Sequence, residues 1–274
     1  MIKDIPTKDA NVCFVHVEKA GGTTLHDFFL QHLPRYWVMP PQQKGYGWRY
    51  SADYLRKLRR ILLFSSIGGH QLSPFDNYAT LFDNPLYVSF VRDPVDRYLS
   101  HVNWRSRGKV EDLDLFLSND RTLNAQCMRI CGQRKFQPAK QIIESSPYFI
   151  GVTESYDESL FILQRILGLR DVPYQASNVT KPQERRLASN ELDGMTYNRI
   201  RDANSEDAML YDWIVSEVFP RQKACFDWTD EEFEVFRSST SGFRRGPGFR
   251  VAKTIRSVAC RAAIRLAGSD SSAP

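Results

Sequence analysis

The period of apolar and polar positions changes repeatedly along the chain, and the changes mark out alternating strands and helices. Residues 11–17 (NVCFVHV), 61–67 (ILLFSSI), 85–91 (PLYVSFV) and 148–152 (YFIGV) are short, apolar and rich in β-branched or aromatic side chains. That is the pattern of strands buried on both faces of a parallel sheet. After the first, Leu25, Phe28, Phe29 and Leu33 recur at helical spacing. SADYLRKLRR reads as a second helix, with Ser51 placed to cap it. Asp93 as cap and Pro94 at the first helical position open a third, whose buried face is Val95, Tyr98, Leu99 and Val102. Further helices are expected around 113–118 and in LNAQCMRICG. Ser155 with Glu158 forms a capping box before SLFILQRILG, which Gly168 ends. The helix expected over Ser205–Phe219 turns Leu210, Trp213, Ile214 and Val218 inward, while residues 170–186 read as a polar surface loop. Strands alternating with helices predict an α/β fold of three layers, α/β/α, around a central, mostly parallel sheet.

Composition narrows this without changing it. The chain has 274 residues, 42% hydrophobic and 25% charged, as in ordinary globular proteins. No apolar run approaches the ~20 residues of a membrane span, and MIKDIPTKDANVCF lacks a basic-then-apolar leader, so a cytoplasmic location is expected. Cys127 and Cys131 lie four apart but have no neighbouring His or Cys to complete a metal site, and the five cysteines read as reduced thiols. The net charge of +5 is unevenly spread: eight Arg or Lys and no Asp or Glu fall between Val235 and Ser269, so the remainder is slightly acidic. The chain therefore divides into one domain, 1–236, and a basic C-terminal tail, 237–274. Nucleic acid is not an expected partner, since only the tail is basic.

Chemistry concentrates in two places. In VCFVHVEKAGGTTL (Val12–Leu25), a strand leaves through Lys19, Gly21 and Gly22 and re-enters a helix near Thr23. The start of a helix offers unpaired N–H groups and a partial positive charge, and glycine lets an anion approach the backbone. Lys19 and the hydroxyls of Thr23 and Thr24 add donors. A plain strand-to-helix turn with a solvated lysine fits the same residues. The nucleotide triphosphatase loop needs lysine after its glycines, followed by a hydroxyl that binds magnesium. Here the lysine precedes them and the loop is short, which suits a single phosphate better. The second place is FVRDPVDRYLS, where Arg92 stands at the C-terminal edge of a strand and Ser100 lies eight residues on. The two could clamp another phosphate, or Arg92 and Arg97 could simply pair with Asp96 and Asp93 at the surface.

Together, VHVEKAGGTTL and FVRDPVDRYLSH resemble the 5′-phosphosulfate loop and the 3′-phosphate motif of sulfotransferases that use 3′-phosphoadenosine-5′-phosphosulfate (PAPS). The likeness is to the branch of the heparan-sulfate uronosyl 2-O-sulfotransferases and their bacterial relatives, and it extends through GGHQLSP, YFIGVTESYDESL and NSEDAMLYDWI. It implies a P-loop-like sulfotransferase fold that binds PAPS without a metal and passes the sulfuryl group to a hydroxyl on a glycan or glycoconjugate. It also implies that Lys19 faces the leaving phosphate oxygen, that Gly21, Gly22, Thr23 and Thr24 hold the 5′-phosphate, and that Arg92 and Ser100 read the 3′-phosphate. His70, after Gly68 and Gly69, becomes the candidate base. His16, His26 and His101 are read as structural. GVTE (Gly151–Glu154) is a candidate for adenine contact, and Asn124, Gln126, Asn178 and Lys181 for the acceptor. Glu18 and Ala20 depart from the family pattern, where proline and a hydroxyl or thiol residue are usual, and Glu18 brings negative charge near an anion site. A P-loop nucleotide kinase and a non-catalytic nucleotide- or glycan-binding relative are the alternatives. In the tail, Gly246-Pro247-Gly248 precedes a helical pattern in which Val251, Ile255, Val258, Ala262 and Leu266 share a face. It admits three readings: a loosely ordered terminus, a guide for an acidic polysaccharide or the donor, and weak contact with an anionic membrane.

Overall fold

The computed structural model describes residues 9–42, 48–76, 78–106, 117–118, 122–169, 172–177 and 188–268. Five parallel strands form one sheet: β1 (Asn11–Val15), β2 (Tyr36–Val38), β3 (Ser66–Gly69), β4 (Pro85–Val91) and β5 (Tyr148–Val152), in the order β2-β3-β1-β4-β5. Helices cover both faces, giving the expected three-layer α/β/α fold. In chain order they are α1 (Gly22–His32), α2 (Ala52–Leu62), α3 (Pro94–Ser106), α4 (Ala125–Cys131), α5 (Phe136–Ser145), α6 (Tyr156–Ile166), α7 (Gly194–Ala203) and α8 (Ser205–Trp213). From α8 the chain continues through a π-helical turn, Ile214–Val218, into α9 (Phe219–Lys223), then α10 (Asp230–Ser241) and α11 (Pro247–Ala267).

Strand pairing sets the level of the site. Val15 pairs with Gly69 and Phe14 with Val88. The residues that follow these strands, His16, His70 and Arg92, therefore emerge on one edge of the sheet. After β3 the chain crosses β1 to reach β4, so the strand order reverses beside β1, where open α/β sheets leave a crevice. Val12, Val15, Leu86, Val88, Phe149 and Ile150 are fully buried, each contributing about 1.5–3 kcal/mol by leaving water. A second core forms where α3 meets α7, from Val95, Tyr98, Leu99, Val102 and Ile200.

Several expectations need correction. The strand expected over 61–67 is β3, Ser66–Gly69, because α2 carries on through Ile61 and Leu62 and stops at Leu63 in the left-handed conformation (φ 51°). Ser51 caps α2 as expected, accepting from the Tyr54 N–H. Ser155 makes no side-chain cap; a 3-10 turn, Thr153–Ser155, leads into α6 instead, and Ser159 Oγ accepts from Val152 N at 2.8 Å. Strand β2 and helices α5, α7 and α10 give no decisive period in the sequence. The segment around 113–118 lies largely outside the described residues.

Helix α10 runs across residue 236, so no break in structure falls at the boundary drawn from composition. Beyond it the chain packs back on the body. Arg245 Nη1 lies 3.1 Å, and Lys253 Nζ 2.5 Å, from the carboxylate of Asp27 on α1. Tyr54 Oη donates to the carbonyls of Ile264 and Gly268 at 3.2 and 2.8 Å.

Candidate active site

The turn after β1 is built to bring backbone close to whatever occupies the crevice. Lys19 and Gly21 both have positive φ, 67° and 75°, a conformation cheap for glycine and costly for lysine. Two rings press on the glycines from behind. A Cβ on Gly22 would overlap the His16 imidazole, and one on Gly21 would fall 2.5 Å from the Tyr156 ring. Tyr156 Oη also donates to the Gly21 carbonyl at 3.1 Å. That carbonyl accepts from Thr24 N and Leu25 N as well, at 3.1 and 3.4 Å.

A cleft of about 610 Å³ opens onto this turn. Its wall includes Lys19, Gly21, Gly22 and Thr23 from the turn, His70 from the end of β3, and Arg92 and Ser100 from β4 and α3. Thr24 is not in that wall. Its hydroxyl accepts from Ser177 N at 2.9 Å, and its N–H is the one held by Gly21. Arg92 reaches back to the turn, with Nη1 3.4 Å from the Lys19 carbonyl. Lys19 Nζ sits 5.7 Å from the centre of the Trp104 ring, a cation–π separation.

A second compartment, of about 550 Å³, shares Glu18, His70, His101 and Trp104 with the first and adds Gln42, Gln71, Arg105 and Arg129. His70 thus stands where the two meet. Its Nδ1 is 3.0 Å from the His16 carbonyl and 3.7 Å from Glu18 Oε1, and its ring stacks on His16 with centroids 3.9 Å apart. A carbonyl can only accept, so Nδ1 carries the proton in the neutral ring and Nε2 keeps a lone pair.

Glu18, the departure that threatened an anion site, is neutralised. Arg129 Nε donates to both carboxylate oxygens at 2.9 Å, and Arg129 Nη2 bonds Oε1. Burial raises the Glu18 carboxyl's pKa, but the charge and hydrogen bonds of Arg129, with His70 adding to them, bring it below the usual value. Gln126 does not face an acceptor. It is buried, accepts from Arg92 N and donates to Arg92 O, both at 2.9 Å, and so fixes the backbone that carries Arg92. Asn124 is structural too, accepting from Asp207 N at 3.0 Å. From GVTE, Thr153 reaches the cleft, its hydroxyl donating to the Val91 carbonyl at 2.8 Å. Asn178 and Lys181 lie outside the described residues.

His16, read from the sequence as structural, is buried at the back of the cleft wall and belongs to a chain of hydrogen-bonded side chains. His16 Nδ1 lies 3.0 Å from His26 Nε2, and His26 Nδ1 lies 2.7 Å from Tyr36 Oη. Burial, reinforced by the neighbouring His70 and His26, holds His16 well below the ordinary histidine value. Burial lowers His26 to about 3, and burial with Arg97 lowers His101 to about 4. The unfolded chain returns all three to about 6.5, so below that pH unfolding takes up protons and stability falls with pH. His16 and His26 alone give a slope of about 3 kcal/mol per pH unit. Urea unfolding midpoints are therefore expected to drop steeply between about pH 6.5 and 4. A flat profile there would show that these rings are protonated or open to water in the native protein. Trp104 could have been found from spacing: it follows Ser100 by four residues on α3, the same helical face.

The chain is similar to a sulfotransferase of known structure from Alicyclobacillus acidocaldarius, at 12% sequence identity and a TM-score of 0.41, over 74% of this chain and 96% of that one. No protein-family model and no curated protein sequence matches the chain.

Proposed function

We propose that the protein is a PAPS-dependent O-sulfotransferase that acts on a hydroxyl of a glycan or glycoconjugate. One observation carries the reading: the lysine-and-glycine turn, Arg92, Ser100 and His70 line a single cleft, although they come from three strand ends up to 81 positions apart in sequence (Lys19 to Ser100). The residues fit the donor. Gly21 and Gly22 let the His16 and Tyr156 rings pack directly behind the turn, and Lys19, Arg92 and the hydroxyls of Thr23 and Ser100 line the cleft in front of it, donors of the kind an anion requires.

PAPS supplies an activated sulfuryl group whose departure leaves negative charge on a phosphate oxygen. Lys19 would neutralise or protonate that oxygen, helped by N–H groups of the turn. Arg92, through its planar fork, and Ser100 would bind the 3′-phosphate, the feature that separates this donor from ATP. His70 Nε2 would take the proton of the incoming hydroxyl, while the His16 carbonyl holds Nδ1–H and orients the ring. The second compartment would hold the acceptor. Trp104, 66% exposed at the junction, offers a flat apolar face for a sugar ring, with the amides of Gln42 and Gln71 nearby. The glycan assignment rests on those features and on the family resemblance.

Titration calorimetry with adenosine 3′,5′-bisphosphate tests the reading. Binding is expected to persist when magnesium is chelated and to exceed that of ATP. Arg92→Ala is expected to weaken the bisphosphate by about 10–100-fold, the worth of a charged hydrogen bond, and adenosine 5′-monophosphate far less. Equal losses for the two nucleotides would remove Arg92 from this role. A requirement for magnesium with preference for ATP would instead favour a kinase.

A further inference from the structure

Helix α11 is docked with its apolar side outward. Val251, Ile255, Val258, Ala262 and Leu266 recur at helical spacing and share one face. Of these, Val251, Ile255, Val258 and Leu266 are 60, 62, 63 and 78% exposed. On the opposite side Cys260 and Ala263 are buried, and polar bonds fix the rotation of the helix. Arg256 Nη1 donates to the carbonyls of Leu30 and Tyr36 at 3.2 and 3.4 Å, and Nη2 to that of Pro34 at 3.3 Å. Lys253 holds Asp27. A surface helix ordinarily buries valine, isoleucine and leucine and gives its cations to water. Here two of the cations face the protein, and the large aliphatic groups are left for a partner.

Charge identifies that partner. Arg250, Arg261 and Arg265 are all exposed and border the apolar face on one side. Seven Arg or Lys and no Asp or Glu occur between residues 242 and 268. A second copy packed face to face would offer no carboxylate on the helix to pair the arginines. A neutral bilayer would take the aliphatic groups and give the arginines nothing. An anionic bilayer satisfies both: the aliphatic face enters the boundary between headgroups and acyl chains, and the arginines meet lipid phosphates. We infer that α11 is an interfacial helix that seats the protein on a membrane rich in anionic phospholipid. The inference stands whether or not the enzyme is a sulfotransferase.

Co-sedimentation of the full chain with sucrose-loaded vesicles tests it. The protein is expected to bind phosphatidylcholine vesicles containing one-third phosphatidylglycerol at low salt, and to leave pure phosphatidylcholine vesicles in the supernatant. Combining Arg250→Gln, Arg261→Gln and Arg265→Gln should weaken partitioning roughly a hundredfold, at about fivefold per arginine. Combining Ile255→Ser, Val258→Ser and Leu266→Ser should cost at least about tenfold. All six positions are exposed, so unchanged urea midpoints are expected and would show that the helix stays docked. Three results would overturn the inference: no binding to the anionic vesicles, equal binding to both kinds, or no effect of either set of substitutions. Dimers in sedimentation velocity that the serine substitutions dissolve, with the vesicles ignored, would give the face to a second copy instead.

Discussion

His70→Ala is expected to lower the rate of single-turnover sulfuryl transfer by about 10²–10⁴-fold, the usual worth of a positioned general base, while bisphosphate affinity changes little. The expectation follows from position. His70 stands where the two compartments meet, and its Nδ1 is committed to the His16 carbonyl, so Nε2 is the atom left for an incoming hydroxyl. The measurement is transfer from radiolabelled PAPS to a panel of oligosaccharides, followed against pH. Loss of the acid limb of the rate profile in the variant, with partial rescue by added imidazole, would mark a base rather than a packing residue. Full turnover in His70→Ala would end that assignment. Lys19→Ala should lose about 10²–10³-fold in the same assay, by analogy with removing one donor from an oxyanion site, but without the change in pH profile. Lys19 is only partly buried and alanine meets the same backbone conformation as lysine, so the replacement should leave the fold intact.

Asp207→Ala is expected to destabilise the protein by about 3–5 kcal/mol, a fall in Tm of roughly 10 °C for a chain of this size. Asp207 is fully buried on α8. It accepts from the N–H groups of Gln126 and Cys127 at 3.0 and 2.9 Å, and lies 3.8 Å from Nε of Arg97, which is 1% exposed. Burial pushes the Asp207 carboxyl above its usual pKa, against the pull of Arg97 and the two N–H groups. Removing the carboxylate leaves a guanidinium charge and two helix-start N–H groups without it, and that loss is the source of the cost. Differential scanning calorimetry reads the change. Arg97→Met combined with Asp207→Leu should recover only the part due to the stranded guanidinium, because the Gln126 and Cys127 N–H groups still lack their acceptor. A fall of only a degree or two in Asp207→Ala would show that water or another group compensates. Since α4 also carries Gln126, the brace behind Arg92, bisphosphate binding should weaken alongside stability.

The sheet was legible because buried parallel strands are continuous apolar runs. It blurred only where a helix ended in the same kind of residue, as at Ile61 and Leu62. Lys19, Gly21, Gly22, Thr23, His70, Arg92 and Ser100 were legible because they sit in or beside the turns that follow β1, β3 and β4, and the strand pairing brings these to one edge. What escaped was set by long-range contact. Nothing in the sequence near Glu18 announces Arg129, 111 positions away, and nothing near Gln126 says that its amide grips the Arg92 backbone. His16 was obscured differently: inside a strand a histidine reads as core, and only the pairing of Val15 with Gly69 sets it against His70. The side on which the tail helix docks was not legible for a related reason. Amphipathicity places an apolar stripe on a helix without saying which side meets the protein, and here lysine and arginine decided that.

The Glu18–Arg129 pair has a consequence for how such proteins diverge. A lineage that lost the arginine first would leave an unpaired carboxylate in the wall of the cleft, and one that lost the carboxylate first would strand a buried guanidinium there. Either single step is a fitness valley, so the two positions should change together across descendants of this chain, or not at all.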